Sequence, residues 1–240
     1  MRAFLLLCIT LYCNAYAYGQ CLPNSPIRIV AQEYPPYIYS CDNALCGFAH
    51  DRVTKILNHA DIPFQIEIYP WKRALHMVKT QEADAIFTIY RTAERKHFLR
   101  YPTYPLIYQD VRFYFKDYKA DLEDIERFEF DNEIVGGVSG FSYGKSFDTN
   151  RDKLGENYRT VSNPGLLFNM LIKGSINIAI SDKRVAEFYL KKHPDNQVYS
   201  RGKSQGLVPS YIAFSLNQKN QCMIELFEDE LRLIHGEKHW

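Results

Sequence analysis

The stretch FQIEIYPWKRALHMVKTQEADAIFTIY, residues 64–90, contains the pattern that decides the fold class. Residues 64–69 alternate between apolar and polar side chains, which is typical of a half-buried strand. A helix then begins at Trp71, directly after a proline, and residues 83–89 are apolar enough for a buried strand. The stretch therefore predicts a strand–helix–strand unit, in which the two strands are parallel.

The same alternation continues on both sides of this stretch. Ahead of it, residues 27–30 predict a strand and residues 48–60 predict a helix. A second unit follows, with strands at 134–138, 158–161 and 176–180 and helices at 143–152, 163–173 and 182–192. Two further strands at 108–115 and 211–216 and an amphipathic helix at 222–235 complete the pattern.

This order predicts an α/β fold with two Rossmann-like lobes joined by two hinge strands. Lobe 1 comprises residues 18–110 and 208–240, and lobe 2 comprises residues 111–207. The natural ligand site of such a body is the cleft between the lobes, which faces the carboxyl ends of the strands. About 15% of the residues are aromatic, which suggests that some rings line this recess.

The amino terminus has the features of a secretory signal. Met1-Arg2 is followed by a mostly apolar run to Cys13 and then by Ala15-Tyr16-Ala17, a small-x-small cleavage site. We therefore expect residues 1–17 to be removed and the mature protein to be periplasmic; a short membrane anchor that is retained is the alternative. No later apolar segment is long enough to span a bilayer.

Four cysteines remain after the signal: Cys21, Cys41, Cys46 and Cys222. In an oxidising compartment they allow three pairings, and we favour Cys41 with Cys46 and Cys21 with Cys222. A zinc site that joins Cys41 and Cys46 to His235 and His239 is the rival. That arrangement departs from the compact spacing of zinc motifs, so we expect neither a metal nor a cofactor.

The charges nearly cancel, with 29 basic and 28 acidic side chains, and no basic tract is present. Nucleic acid and anionic membranes are therefore poor candidates as partners. A small-molecule solute fits the composition better, and we expect the chain to act as a monomer.

The glycine-rich stretch GGVSGFSYGKS, residues 136–146, is close to a phosphate-binding loop. The loop requires a glycine five residues before the Gly-Lys-Ser ending, and that position is Ser139. The stretch therefore does not match a nucleotide site. It lies between a predicted strand and a predicted helix.

Segments in the same order resemble the family 3 extracellular solute-binding proteins, the amino-acid-binding class that feeds ABC importers. They are EYPPYIY (33–39), YPWKRALHMVKTQEADAIFTIYRTAERKHFLRYPTYPL (69–106), VGGVSGFSYGKSFD (135–148), NIAISDKRVAEFYL (177–190) and SYIAFSLN (210–217). The resemblance covers essentially the whole mature chain. It implies the type II periplasmic binding architecture, closing on a small polar solute.

The resemblance also implies a set of ligand-binding residues. Arg95, three residues after Thr92, matches the arginine that grips a ligand carboxylate, and Asp182 matches an acid that holds an ammonium. Aromatic contacts are implied at matching positions on the first lobe. In the glycine-rich turn, Ser139, Gly140 and Ser142 are implied to bring backbone N–H groups to the cleft opposite Arg95. The full set is Tyr34, Trp71, Thr88, Tyr90, Thr92, Arg95, Gly140, Ser142 and Asp182.

Each of these assignments has a structural alternative. Arg95 can pair with a neighbouring glutamate, Asp182 can cap the helix that follows it, and Tyr34 and Trp71 can belong to the core. Tyr90 departs from the family, whose amino-acid binders usually carry a small hydroxyl residue there. Its ring puts amino-acid specificity in doubt, and Arg91 beside it adds a second cation.

No catalytic set of residues stands out, so the resemblance implies a binding protein that delivers a carboxylate-bearing solute to an ABC permease in the inner membrane. A periplasmic dehydratase or lyase on the same scaffold is the alternative from the enzyme class. A ligand-sensing module that docks on a membrane receptor is the other alternative.

Overall fold

The computed structural model describes residues 25–116, 130, 133–201 and 206–236. The predicted signal peptide, Cys21, His239 and most of the acidic segment 117–131 lie outside the described residues. Within the described ranges, no helix has the length and apolar character needed to cross a membrane.

Strands and helices alternate along most of the chain. The strands are β1 (Ile27–Ala31), β2 (Tyr39–Cys41), β3 (Ala44–Cys46), β4 (Phe64–Ile68), β5 (Ala85–Tyr90), β6 (Leu99–Arg100), β7 (Ile107–Lys116), β8 (Val135–Val138), β9 (Tyr158–Val161), β10 (Ile178–Asp182), β11 (Val198–Arg201) and β12 (Leu207–Ser215). The α-helices are α1 (Phe48–His59), α2 (Trp71–Lys79), α3 (Lys145–Asn150), α4 (Pro164–Lys173), α5 (Lys183–Leu190) and α6 (Gln221–Gly236). Short 3₁₀ helices cover Arg95–His97, Arg151–Asn157 and Gln218–Asn220.

The main sheet has the strand order β4-β1-β5-β12-β7-β10-β8-β9. At one end β1 is parallel to both β4 and β5, and at the other end β8 is parallel to both β9 and β10. The strands between them, β12 and β7, pair antiparallel with their neighbours. The predicted α/β class and the parallel strand–helix–strand units are therefore confirmed.

Strands β7 and β12 run from one half of the sheet to the other. Residues 107–110 of β7 pair with residues 207–210 of β12, whereas residues 111–116 pair with β10 and β11. From Ser210 onward β12 pairs with β5. These two strands are the ones predicted to be hinges, and the exact lobe boundaries at 110/111 and 207/208 stay a prediction.

Apolar helix faces cover the sheet on both halves. Ala74 and Val78 of α2 pack with Val30 and Ile86 of the first half, and Phe147 of α3 packs in the cluster of the second half. These side chains are fully buried, so removal of apolar surface from water holds each helix to its strands.

Local sequence explains why the helices begin and end where they do. Asn163 accepts a hydrogen bond from the backbone N–H of Leu166 at 2.9 Å, and Pro164 occupies the first turn of α4. Gly174 ends the same helix with a left-handed conformation, φ +74°.

The structure corrects several boundaries. Helix α3 begins at Lys145, two residues later than predicted, and continues as a 3₁₀ helix from Arg151. Strand β12 begins at Leu207 rather than Tyr211, because Pro209 lies inside the strand and still pairs with Tyr108.

Three paired segments were not predicted, and one of them is the short strand β6 beside β12. Strand β11 adds to the edge of β7, and β2 and β3 form a hairpin where only a turn was expected. Asp42 and Asn43 connect the hairpin with positive φ angles of 42° and 67°, as a two-residue hairpin turn requires. The Cα atoms of Cys41 and Cys46 lie 6.0 Å apart, within the range that a disulfide spans. Both predicted disulfides stay predictions. For the pair of Cys21 with Cys222, Cys21 lies outside the described residues.

Candidate functional site

A small cavity lies where the carboxyl ends of β1, β5 and β8 meet, beside β7. Its wall is formed by Gln32, Tyr34, Trp71, Thr88, Tyr90, Arg95, Gln109, Phe141, Ser142 and Tyr143. The cavity volume is about 20 Å³, which is room for about one water molecule. Six of the nine predicted ligand-binding residues line this cavity: Tyr34, Trp71, Thr88, Tyr90, Arg95 and Ser142.

Arg95 is the one charged residue in this wall. Its side chain is buried, with 5% of its surface exposed. The guanidinium donates one hydrogen bond to the carbonyl of Tyr90 at 3.0 Å and another to the carbonyl of Gly140 at 3.1 Å. Burial lowers the pKa of Arg95 below its ordinary value, although a guanidinium stays protonated in proteins.

Arg95 makes no ion pair with any carboxylate of the described residues. The expected alternative, a pair with a neighbouring glutamate, is therefore wrong. The positive charge instead lies 5.3 Å from the ring centre of Trp71, in a cation–π contact.

Thr92 lies outside the wall of this cavity and supports Arg95. Its hydroxyl accepts a hydrogen bond from the backbone N–H of Arg95 at 3.3 Å, at the start of the 3₁₀ helix. Thr92 therefore positions the arginine from behind, and a direct ligand contact from Thr92 stays a prediction.

Gly140 brings the second half of the molecule to the first. Its carbonyl oxygen accepts hydrogen bonds from Arg95 and also from Nε1 of Trp71 at 2.9 Å. The residue has φ +79°, and a Cβ atom built on it lies 3.1 Å from Cδ1 of Trp71. Both the conformation and the close approach therefore require glycine.

The prediction that backbone N–H groups of this turn face Arg95 is wrong in part. The N–H of Ser139 donates to the carbonyl of Val161 at 2.8 Å, which extends the pairing of β8 with β9. The Gly140 atom that faces Arg95 is the carbonyl oxygen. Ser142 lines the cavity, and its hydroxyl donates to Asp148.

Three aromatic rings close one side of the cavity. The ring of Phe141 lies 5.6 Å from that of Tyr34 and 5.3 Å from that of Trp71, edge-on to each. Tyr34 is also stacked on Tyr37 at 5.6 Å. Tyr34 and Trp71 are therefore both buried in the core and part of the cavity wall, so the two interpretations of these residues are compatible.

Thr88 has an unusual backbone in strand β5. Its φ is +60°, which is rare for a β-branched residue. On β12, Tyr211 pairs with Ile89 and the next residue, Ile212, pairs with Phe87, so Thr88 is the extra residue of a bulge. Bulges of this kind redirect side chains beside functional sites, and Thr88 lies in the cavity wall.

Tyr90, whose large ring was predicted to alter the pocket, lies in the cavity wall. Tyr90 and Ser142 also border a second cavity, of about 520 Å³. Arg91 and Thr92 line this second cavity but not the first one. Burial raises the pKa of Tyr90 well above its ordinary value, and does the same for Tyr34 and Tyr143. These three phenols therefore line the cavity in the neutral form.

Asp182 is not in the cavity wall. It is 1% exposed and caps α5 by accepting from the backbone N–H groups of Arg184 and Val185. It also accepts from the N–H of Asp110 and from the hydroxyl of Tyr37, both at 2.9 Å. The predicted cap is therefore present, whereas an ammonium-binding role stays a prediction. Burial raises the pKa of this carboxyl, and these hydrogen bonds oppose the rise.

Sequence reasoning missed three residues of the wall: Gln32, Gln109 and Phe141. Gln32 directly follows β1 and Gln109 is a polar residue inside the hinge strand β7, so a search for polar residues at strand ends and crossings would have found both. Oε1 of Gln32 and Nε2 of Gln109 are buried and have no hydrogen-bond partner among the described residues.

The described residues contain no group of three His, Cys, Asp or Glu side chains that could hold a metal ion. His235, one member of the rival zinc proposal, packs against residues 104–105, where its Nε2 lies 2.7 Å from the carbonyl of Pro105. His239 lies outside the described residues.

Solved structures share this architecture over most of the chain. The arginine-, lysine-, histidine-binding protein ArtJ from Geobacillus stearothermophilus has a TM-score of 0.72 and 16% identity, over 89% of this chain and 90% of that one. An ancestral arginine-binding protein bound to glutamine has a TM-score of 0.74 and 19% identity, over 90% of this chain and 94% of that one. A histidine kinase sensor domain with similarity to periplasmic binding proteins has a TM-score of 0.75 and 13% identity, over 88% of this chain and 91% of that one.

No curated protein matches the sequence. A family model does match, over residues 27–235, which is most of the chain. The family and the similar structures are binding proteins rather than enzymes. The chain belongs to the bacterial extracellular solute-binding proteins, family 3.

Proposed function

We propose that this protein binds a small carboxylate-bearing solute, an amino acid or another acid, with Arg95 as the carboxylate anchor. The observation that carries the proposal is a buried guanidinium in a cavity wall with no ion pair among the described residues. A buried charge without a counter-charge is costly. A carboxylate in the cavity supplies that counter-charge.

The geometry of Arg95 suits this role. A guanidinium has five N–H donors in a planar fork, and the backbone carbonyls of Tyr90 and Gly140 take two of them. The remaining donors are available to a planar carboxylate, which binds such a fork through two parallel hydrogen bonds.

A solute needs more room than about 20 Å³, so binding requires the cleft to open first. We propose that lobe 1 (18–110 and 208–240) and lobe 2 (111–207) separate by bending at β7 and β12. The contacts of Gly140 with Arg95 and Trp71 join the two lobes and break in the open form. Opening of this kind is typical of two-lobed binding proteins.

We further propose that the protein is exported to the periplasm after loss of residues 1–17 and works there as a monomer. It delivers its solute to an ABC permease in the inner membrane. The amino-acid-binding proteins among the similar structures support this proposal, as does a substrate-binding protein of an amino acid ABC transporter with a TM-score of 0.70 and 14% identity, over 89% of this chain and 94% of that one.

Ligand sensing is the second candidate function. The likeness to a histidine kinase sensor domain favours it, because the same two-lobed body serves as a receptor module there. In that case, closure on the solute transmits a signal to a membrane receptor and no uptake follows.

A thermal-shift screen of the exported protein tests the binding proposal. The compounds are amino acids, small di- and tri-acids, amines and short peptides. We expect carboxylates to raise the melting temperature, since a ligand at 100 times its Kd adds about 2.7 kcal/mol to the free energy of unfolding. Stabilisation by amines alone would contradict the proposal.

Uptake of the labelled solute separates import from sensing. We expect cells without the protein to lose high-affinity uptake, and cells with the restored gene to regain it. Unchanged uptake, together with a lost transcriptional response to the solute, would favour sensing instead.

A further inference from the structure

We propose that the cleft selects a hydroxycarboxylate over the matching amino acid, because Tyr37 is hydrogen-bonded to Asp182, the buried acid that would otherwise receive an ammonium. This inference rests on the proposed function, in which Arg95 binds the carboxylate. It narrows the class of solute for that site.

The charge of the cavity wall is the first observation. Of its ten residues, Arg95 alone carries a charge, and no aspartate or glutamate is among them. A carboxylate neutralises the guanidinium, whereas an amino acid brings an additional ammonium into the same small space. Burial of that second cation with no carboxylate in the cavity wall is unfavourable.

The hydrogen bonds that Asp182 already accepts are the second observation. Oδ1 accepts from Tyr37, Arg184 and Val185, and Oδ2 accepts from Asp110, so four donors surround this carboxylate. Three of these donors are backbone N–H groups that belong to a strand or a helix start. Of the four donors, the hydroxyl of Tyr37 is the one that an ammonium can replace without disturbing the backbone.

The rigidity of Tyr37 makes this replacement difficult. The residue is fully buried, and its ring is stacked on Tyr34 with 22° between the planes. Pro36 precedes Tyr37 in the chain. The backbone carbonyl of Tyr37 accepts hydrogen bonds from the N–H groups of Ala49 and His50 at the start of α1. The hydroxyl is therefore held against Asp182 by packing on both the ring and the backbone.

Two buried amides indicate what the solute offers in place of an ammonium. Gln109 is 1% exposed and Gln32 is 4% exposed. Nε2 of Gln109 is a donor and Oε1 of Gln32 is an acceptor, and neither has a partner among the described residues. A hydroxyl group both accepts and donates, so a single hydroxyl beside the carboxylate satisfies both amides.

Matched pairs of acids test the inference on the exported full-length mature protein. Lactate is compared with alanine, malate with aspartate, and 2-hydroxyglutarate with glutamate, because the members of each pair differ in a hydroxyl and an ammonium. In the pair that binds best by calorimetric titration, we expect the hydroxy acid to have a Kd lower by about tenfold or more.

Tyr37→Phe provides a second measurement, because it removes the hydroxyl that bonds Asp182 and keeps the ring. We expect the variant to reduce the ratio of the amino acid's Kd to the hydroxy acid's Kd by about tenfold, through tighter binding of the amino acid. Tyr39→Phe is the matched control, since its ring lies on the β2–β3 hairpin against Phe188, and we expect it to leave this ratio unchanged.

The outcomes separate the inference from the proposed function. If amino acids bind wild-type protein as tightly as the hydroxy acids, and do so through Arg95, the inference is overturned and the proposed function stands. If no acid binds, or if binding does not depend on Arg95, the proposed function fails and the inference fails with it. If Tyr37→Phe does not fold, the wild-type comparison alone decides.

Discussion

Arg95 and Gly140 are 45 positions apart in the chain, yet the guanidinium of Arg95 donates to the carbonyl of Gly140 at 3.1 Å. Arg95 follows the strand that ends the first unit, and Gly140 follows the first strand of the second unit. The hydrogen bond to this backbone carbonyl therefore forms only when the two halves of the molecule are in contact. In the proposed function, this hydrogen bond connects the carboxylate anchor to closure of the cleft.

Arg95→Ala is expected to weaken binding of the carboxylate solute by at least about tenfold, which is about 1.4 kcal/mol. The physical reason is the loss of a charge-assisted hydrogen bond in a buried site. Calorimetric titration of the solute identified by thermal shift measures the change. Arg91→Ala is the control, because Arg91 stacks on Tyr211 and lines the second cavity. Equal affinity of Arg95→Ala and wild type would refute the anchor.

Gly140→Ala is expected to destabilise the protein by about 1–2 kcal/mol, because an L side chain is strained at φ +79°. The new Cβ also presses on Trp71, which opposes closure. Urea unfolding measures the stability. Gly174→Ala is the control, since it has φ +74° and meets only the flexible tip of Lys116. Solute binding that weakens in Gly140→Ala alone would show that the contact with Trp71, rather than backbone strain, matters for closure.

Trp71 is expected to report solute binding by fluorescence. It is one of two tryptophans in the sequence, it lies in the cavity wall, and its Nε1 donates to Gly140. Opening and refilling of the cleft change both the polarity around the ring and this hydrogen bond. A titration in a Trp240→Phe background measures the signal, which Trp71→Phe should abolish. A signal that survives in Trp71→Phe would place the solute elsewhere.

Glu67 gives a pH-dependent contribution to stability. Its pKa is lowered chiefly by the hydrogen bond from Arg28, which joins β1 to β4. A depressed pKa in the folded state stabilises the protein above the unfolded value of about 4.3, and this contribution is lost as the pH falls through the folded value. Both side chains are partly exposed, so the effect is small.

Glu67→Gln tests this effect by urea unfolding between pH 3 and pH 7. We expect the variant to be slightly less stable than wild type at pH 7, and the difference to shrink as the pH falls below the unfolded pKa of about 4.3 and towards the lower, folded pKa of Glu67. High salt should reduce the difference at pH 7 as well. A difference that is constant across the pH range would mean that the carboxylate charge is not responsible.

Most of the fold was predictable because it depends on local patterns. The alternation in residues 64–69, the helix start at Trp71 and the Asn163 cap each depend on side chains that are close in sequence. Strand β11 was missed because residues 198–201 carry no such pattern and pair only at an edge of β7. The early start of β12 was missed because proline usually argues against a strand.

The candidate site was predictable only in part. The family resemblance pointed to Arg95, Trp71 and Tyr34, and the structure brings all three into one cavity wall. The resemblance did not reveal that Asp182 already accepts a hydrogen bond from Tyr37, 145 positions away. It did not reveal Gln32 and Gln109 either, since their role depends on which side chains surround them.

The sequence by itself determined the α/β class and the order of most elements, because periodicity, caps and turns act over a few residues. The tertiary structure decided which polar groups already have partners. Hydrogen bonds such as those of Gly140 with Arg95 and of Asp182 with Tyr37 join distant segments, so they exist only once the two halves of the sheet are in place. The selectivity that we propose for the cleft depends on those bonds.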